Sequence, residues 1–82
     1  MTEGTIGEVR LFAGNFAPKF WAFCQGQTLP IMQNTALYSI LGTQFGGDGK
    51  QTFMLPKLDN IKCGQGELRY IICLEGIFPQ RN

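Results

Sequence analysis

Six carboxylates, three thiols and a single serine are the side chains of this sequence best suited to act on a substrate, and there is no histidine beside them. Acid–base cleavage of a glycosidic bond would need two carboxyl groups held about 5 to 10 Å apart. Glu3, Glu8, Asp48, Asp59, Glu67 and Glu75 are scattered, and none lies in a pocket-forming motif. They read as solvated surface charge. Nucleophilic catalysis by Ser39 or by a cysteine would need a base beside it, and the usual base is missing. Cys24, Cys63 and Cys73 contain no C-x-x-C pair, so they make a poor structural zinc set. Cys24 and Cys73 sit in apolar runs and read as small buried hydrophobes. One bridge plus a free thiol stays open at this level, since an odd count makes no complete disulfide framework. Neither a metal nor a cofactor is expected.

The glycine-rich run Phe45-Gly46-Gly47-Asp48-Gly49-Lys50 could cradle an anion with successive amides. It fails the phosphate-loop pattern, because Gln51 follows Gly49-Lys50 and Gln44 occupies the position of the first glycine. The dinucleotide fingerprint fails as well, with Thr52 where the third glycine belongs. A structural turn is the better reading.

Composition narrows the partners. Seven basic and six acidic residues leave a formal charge of +1, too little to steer the chain to nucleic acid or anionic lipid. Charged residues make up 16%, against the roughly 25% usual in a globular domain. With seven Phe, two Tyr and one Trp, the chain carries more apolar surface than its size readily hides. Association with copies of itself is one way to cover the surplus. No apolar stretch approaches the length of a membrane span. The opening residues lack the basic start and apolar run of a secretory signal. Synthesis in the cytoplasm is expected, without membrane insertion.

The elements that must position these residues are short. Ile6 to Ala13 alternates as a strand, with Val9, Leu11 and Ala13 on one side and Glu8, Arg10 and Phe12 on the other. Phe20 to Cys24 is a buried strand, Gln25-Gly26-Gln27 is a turn, and Trp21–Cys24 with Gln27–Leu29 would make a small hairpin. A helix is expected over about residues 34–42. Asn34 is a good N-cap, Ala36, Leu37, Ile40 and Leu41 form one apolar stripe, and Gly42 supplies the left-handed stop. Asp48-Gly49 is a hairpin signal leading into a strand from Thr52 to Leu55, which Pro56 ends. Lys57 to Gly66 reads as an exposed connection. Arg69 to Phe78 is a strand apolar on both sides over Tyr70–Leu74, which suits a central position covered on each face. The two terminal strands are expected to pair. No repeat or linker divides residues 1–82, which read as one domain. Its fold class is α+β: mostly β, antiparallel or mixed, with one short helix.

Read in order, these landmarks are recognisable. The run from Gly7 to Pro18 (GEVRLFAGNFAP), then Trp21-Ala22-Phe23-Cys24-Gln25-Gly26-Gln27, then Gln33 to Gly42 (QNTALYSILG), make up its first half. Phe45-Gly46-Gly47-Asp48-Gly49, Thr52-Phe53-Met54-Leu55-Pro56 and the ending from Tyr70 to Asn82 make up the second. Together they resemble the phage tail collar domain, in the branch called microcystin-dependent proteins. The chain resembles a shortened form of it. Members are usually much longer, with an Arg-Gly-Arg turn and a long variable region between the Leu-Pro strand and the last strand. Here Lys57-Leu58-Asp59-Asn60 and a few residues more fill that interval.

The resemblance implies a tail-collar-like fold and a non-enzymatic part of a phage, prophage or tail-like particle. It also implies homo-oligomers, trimers above all, and other tail or fibre proteins as partners. The residues expected to carry the shared scaffold are Trp21, Cys24, Gly26, Asn34, Leu37, Leu41, Gly42, Gly46, Gly47, Gly49, Phe53, Pro56, Gly76 and Phe78. An alternative is a lectin-like or adhesin-like module that binds surface glycans. Phe16, Phe20 and Tyr38 would then stack on sugar faces, with Gln44, Asp48 and Gln51 supplying polar contacts.

Overall fold

A computed structural model describes residues 4–80. In chain order its elements are β1 (Val9–Phe12), β2 (Trp21–Phe23), β3 (Thr28–Pro30), α1 (Thr35–Leu41), β4 (Thr52–Met54), β5 (Ile61–Cys63) and β6 (Gly66–Cys73). The fold is mostly β, with antiparallel strand pairs and one short helix, as the sequence leads one to expect.

β6 is the spine. It pairs with β1 along one side and with β2 along the other, and its first residues pair with β5. The expected pairing of N-terminal and C-terminal strands is therefore present. So is the central strand covered on both faces. Alternation puts Ile72 on one face, with Val9, Leu11, Tyr70 and Ala22 beside it in register. The opposite face takes Ile71 and Cys73, with Arg10, Phe12, Trp21, Phe23 and Arg69.

Two cores follow from that alternation. On the first face Ile72 packs with Ile6, Cys24, Leu37, Leu41, Phe53 and Leu55, beneath α1 and the small β3–β4 sheet. On the second, Trp21, Phe12 and Phe23 pack with Ile71 and Cys73. α1 has seven residues and could not stand alone in water. It persists because Leu37 and Leu41 are buried, with Ala36 and Ile40 half-buried at their flanks.

Several local expectations give way to tertiary ones. β2 does not fold back on β3: the turn at Gly26 (φ 75°) sends the two strands into different sheets. The Gln27 side chain closes that bend, its Nε2 donating to the Phe23 carbonyl (2.8 Å) and its Oε1 accepting from the Gln25 amide (3.1 Å). Its backbone carbonyl accepts from the Leu55 amide (3.0 Å). A long, buried partner strand offers β2 more apolar contact than a three-residue neighbour would. Asn34 begins the helix, but its side chain makes no cap hydrogen bond. It donates instead to the Pro30 carbonyl (2.9 Å) and ties α1 to the end of β3. Gly42 ends the helix at φ 57° and ψ −143°, a glycine-favouring conformation that is not the ordinary left-handed cap.

Asp48-Gly49 is no hairpin turn, since the chain reaches it from α1 rather than from a strand. The Lys57–Gly66 connection contains β5, which a two-residue turn at Gly64 (φ 60°) joins to β6. The last strand runs from Gly66 to Cys73 rather than from Arg69 to Phe78. The first is shorter than Ile6 to Ala13, because Gly7 turns at φ 85° and drops Ile6 into the core.

Candidate functional site

Successive amides of the glycine-rich loop do cradle an anion, and that anion belongs to the protein. The Asp48 carboxylate Oδ1 accepts from the backbone amides of Lys50 (2.9 Å), Gln51 (2.9 Å) and Thr52 (3.0 Å). The Gln51, Thr52 and Lys50 amides hold its carboxyl well below the usual carboxylate range. The cradle is filled from within, which leaves it no capacity for a phosphate. Tyr38 closes the loop from the helix side, its hydroxyl donating to the Gly49 carbonyl (3.3 Å) and its ring meeting Phe53 edge-on at 5.4 Å.

Asp48 bonds more strongly when charged, so its contribution to stability is complete above the ordinary carboxylate pKa of about 4. It is lost as pH falls from there towards the lowered native value. The melting temperature is therefore expected to drop on acidification below about pH 4. Asp48→Asn should destabilise the protein at neutral pH and flatten that acid slope. Calorimetry showing the same slope in both proteins would remove Asp48 from this role.

The remaining acid–base groups are also committed or scattered. Glu8 is held below its usual range by the Arg10 guanidinium, 2.6 Å away, and by the Thr5 amide. Among the described residues no three potential metal ligands come together. Two open clefts flank α1. One, of about 270 Å³, includes Gln33, Asn34, Thr35 and Glu75; the other, of about 470 Å³, lies between Ser39–Ile40 and Phe78–Pro79. Neither brings two carboxylates together.

The thiols divide by burial. Cys24 and Cys73 are buried, on opposite faces of the main sheet, Cys63 is exposed, and all three are free. Burial pushes the Cys24 thiol up to about 11 and raises Cys73 too. A thiol-alkylating reagent at neutral pH should add once to the native protein, at Cys63, and three times after denaturation. Native protein that gains three adducts by mass spectrometry would contradict this burial.

What the surface offers instead is apolar. Val9, Leu11, Phe16, Phe20, Phe45, Leu58, Ile61, Ile77 and Phe78 are all exposed, and Met32 is 91% so. Cations lie over rings on the second face: Arg10 over Trp21 at 5.4 Å and Arg69 over Phe23 at 5.8 Å. Such a surface suits contact with other proteins better than turnover of a small substrate.

Comparison with protein families matches residues 7–61 to the phage tail collar domain. The chain belongs to that family. The matched segment runs from the turn before β1 to the first residue of β5 and takes in α1, the glycine-rich loop and the whole β3–β4 sheet. Comparisons with curated proteins and with solved structures give no match. No helix among the described residues is long and apolar enough to cross a membrane.

Within this collar domain the residues singled out from sequence fall into distinct places. Trp21, Cys24, Leu37, Leu41, Phe53 and Pro56 are buried. Gly42, Gly46, Gly47 and Gly49, like Gly26, all have positive φ. At Gly76 a side chain would strike the Gly4 carbonyl, where the two terminal segments meet. Phe78 is half-exposed and lines the larger cleft.

The residues expected to face a glycan come from two stretches of the chain. Tyr38, Gln44, Asp48 and Gln51 belong to α1 and the glycine-rich loop, where Tyr38 and Asp48 already serve that loop. Phe16 and Phe20 lie on the β1–β2 connection, 68% and 46% exposed. Phe20 also has a positive φ of 72°, and its carbonyl accepts from the Leu74 amide (2.8 Å). Reading the sequence missed the ring-stacked arginines, because pairs such as Arg69 and Phe23 are brought together only by strand register.

Proposed function

We propose that this chain is a non-enzymatic structural and assembly component of a phage or prophage tail, or of a tail-like particle. The match of residues 7–61 to the collar domain carries the reading. The internally filled anion cradle and the exposed apolar side chains support it, since they suit packing better than catalysis. Its partners are other tail or fibre proteins and further copies of itself. The resemblance to the microcystin-dependent branch points to the same role, and favours a three-fold contact among the copies. The chain is made in the cytoplasm and assembled into the particle.

Particles purified from cells that produce the protein should contain it in a fixed ratio to the major tail protein, by quantitative mass spectrometry. Its absence from intact particles would end this reading. The exposed Phe16 and Phe20 rings favour a second one, in which the surface binds glycans. A glycan array should then show signal that falls when both rings are replaced by alanine.

A further inference from the structure

Among the described residues β1 is an edge strand, paired with β6 alone. The Cys73 amide donates to the Glu8 carbonyl (2.9 Å), so the Glu8 carbonyl and, by alternation, the Arg10 backbone groups turn towards β6. By alternation, Val9 and Leu11 point their amides and carbonyls outward. Edge strands are commonly blunted by lysine, proline or a covering segment. β2 is closed off locally: the Trp21 amide donates to the Pro18 carbonyl, the Phe23 carbonyl accepts from the Gln27 side chain, and just past the strand Cys24 and Gly26 bond Leu58 and Pro56. β5 carries Lys62. β1 has neither device. Its one charged side chain, Arg10, is turned back onto Glu8 and over Trp21, while Val9 and Leu11 are 41% and 45% exposed.

From this edge we infer that β1 pairs antiparallel with β1 of a second copy, across a two-fold axis through Leu11, joining two main sheets into one. The inference deepens the proposed self-association by naming its surface. The sequence of β1 selects both occupant and register. Centred on Leu11, the outward-facing backbone groups meet, Leu11 lies opposite Leu11 of the second copy, Arg10 opposite Phe12, and Val9 opposite Ala13. Every facing pair shares a sheet face, and no like charges meet. Centring on Arg10 would oppose two guanidinium groups, which is unfavourable. Centring on Phe12 would leave Val9 opposite Asn15, three residues past the end of β1, where centring on Leu11 reaches only one residue past it. Pairing β1 with β5 of another copy fails differently: Lys62 is the outward-facing residue there, and its side chain lies on the opposite face to that of Leu11. A two-fold contact is compatible with a three-fold contact elsewhere, and the assembly then contains six copies.

The test is the native mass of the full chain, by sedimentation or light scattering over a wide concentration range. Two or six copies are expected. Leu11→Lys, which sets two ammonium groups opposite each other, should weaken the two-fold association about tenfold or more. Met32→Lys, on an exposed side chain between β3 and α1, should leave the mass unchanged. Should Leu11→Lys fail to fold, cross-linking decides. In a Cys63→Ser background, Leu11→Cys should oxidise to a covalent dimer, because a directly opposed pair lies about 5.5 Å apart at Cα. Val9→Cys, facing Ala13, should not. A monomer or trimer at every concentration overturns the inference, as does equal cross-linking of both cysteines. None of those results bears on whether the protein is found in tail particles, so the two readings fail separately.

Discussion

Gly47→Ala is expected to cost about 4 kcal/mol, enough to leave much of this chain unfolded at physiological temperature. Two effects add. The backbone at Gly47 has φ 97°, which a residue with a side chain adopts only under strain. A Cβ there would also lie within 2.7 Å of the Thr52 carbonyl oxygen and closer still to the Phe53 Cα. Those are main-chain atoms of β4, and they cannot swing aside as a side-chain tip does. Gly64→Ala is the control: φ is 60°, with nothing within 4 Å of an added Cβ. It should cost only about 1 kcal/mol, the conformational part alone. Urea melts that place the two variants together would show that the loop does not press on β4 as described.

Phe53→Ala should cost about 3–5 kcal/mol, the range for removing a large ring from a core that cannot collapse to fill the space. Phe53 is fully buried in a cluster with Leu37 from α1, Ile72 from β6 and Leu55 just past the end of β4. Tyr38 loses its ring partner as well. The chain has one tryptophan, Trp21, in the other cluster across the sheet. Its fluorescence therefore reports whether the second face survives when the first is hollowed. Melting by fluorescence and by circular dichroism should coincide at a lowered midpoint, because β6 belongs to both faces. A Phe53→Ala variant as stable as the parent would displace Phe53 from the core. Trp21→Ala should cost a similar amount, with the loss centred on Ile71 and Cys73.

Much of the fold was legible from local patterns because local forces set it. The stripe at Ala36, Leu37, Ile40 and Leu41 marked the helix, and it lies against the core because no other arrangement covers those side chains. Tyr70 to Leu74, apolar on both sides, marked a strand with two covered faces, and Ile71, Ile72 and Cys73 are all buried. Gly42 marked a positive-φ stop at the end of the helix, and φ there is 57°. The errors lay where two partners competed for one segment. Gly26 signalled a turn but not which strand would receive β2, and Asn34 signalled a helix start but not that its side chain would serve β3.

For the candidate site the division is sharper. Order and identity of residues were enough to establish the family and to show that this sequence holds no histidine and departs from the phosphate-loop pattern, since those readings need only composition and spacing. Which aromatic rings stay exposed, which anion fills the glycine-rich cradle and which strand is left at the sheet's edge are facts of register. Register depends on distant segments competing for β6, and a one-residue shift would move every side chain of a strand to the opposite face. Only the assembled chain settles that competition, so the surface left for a neighbour appears only in the tertiary structure.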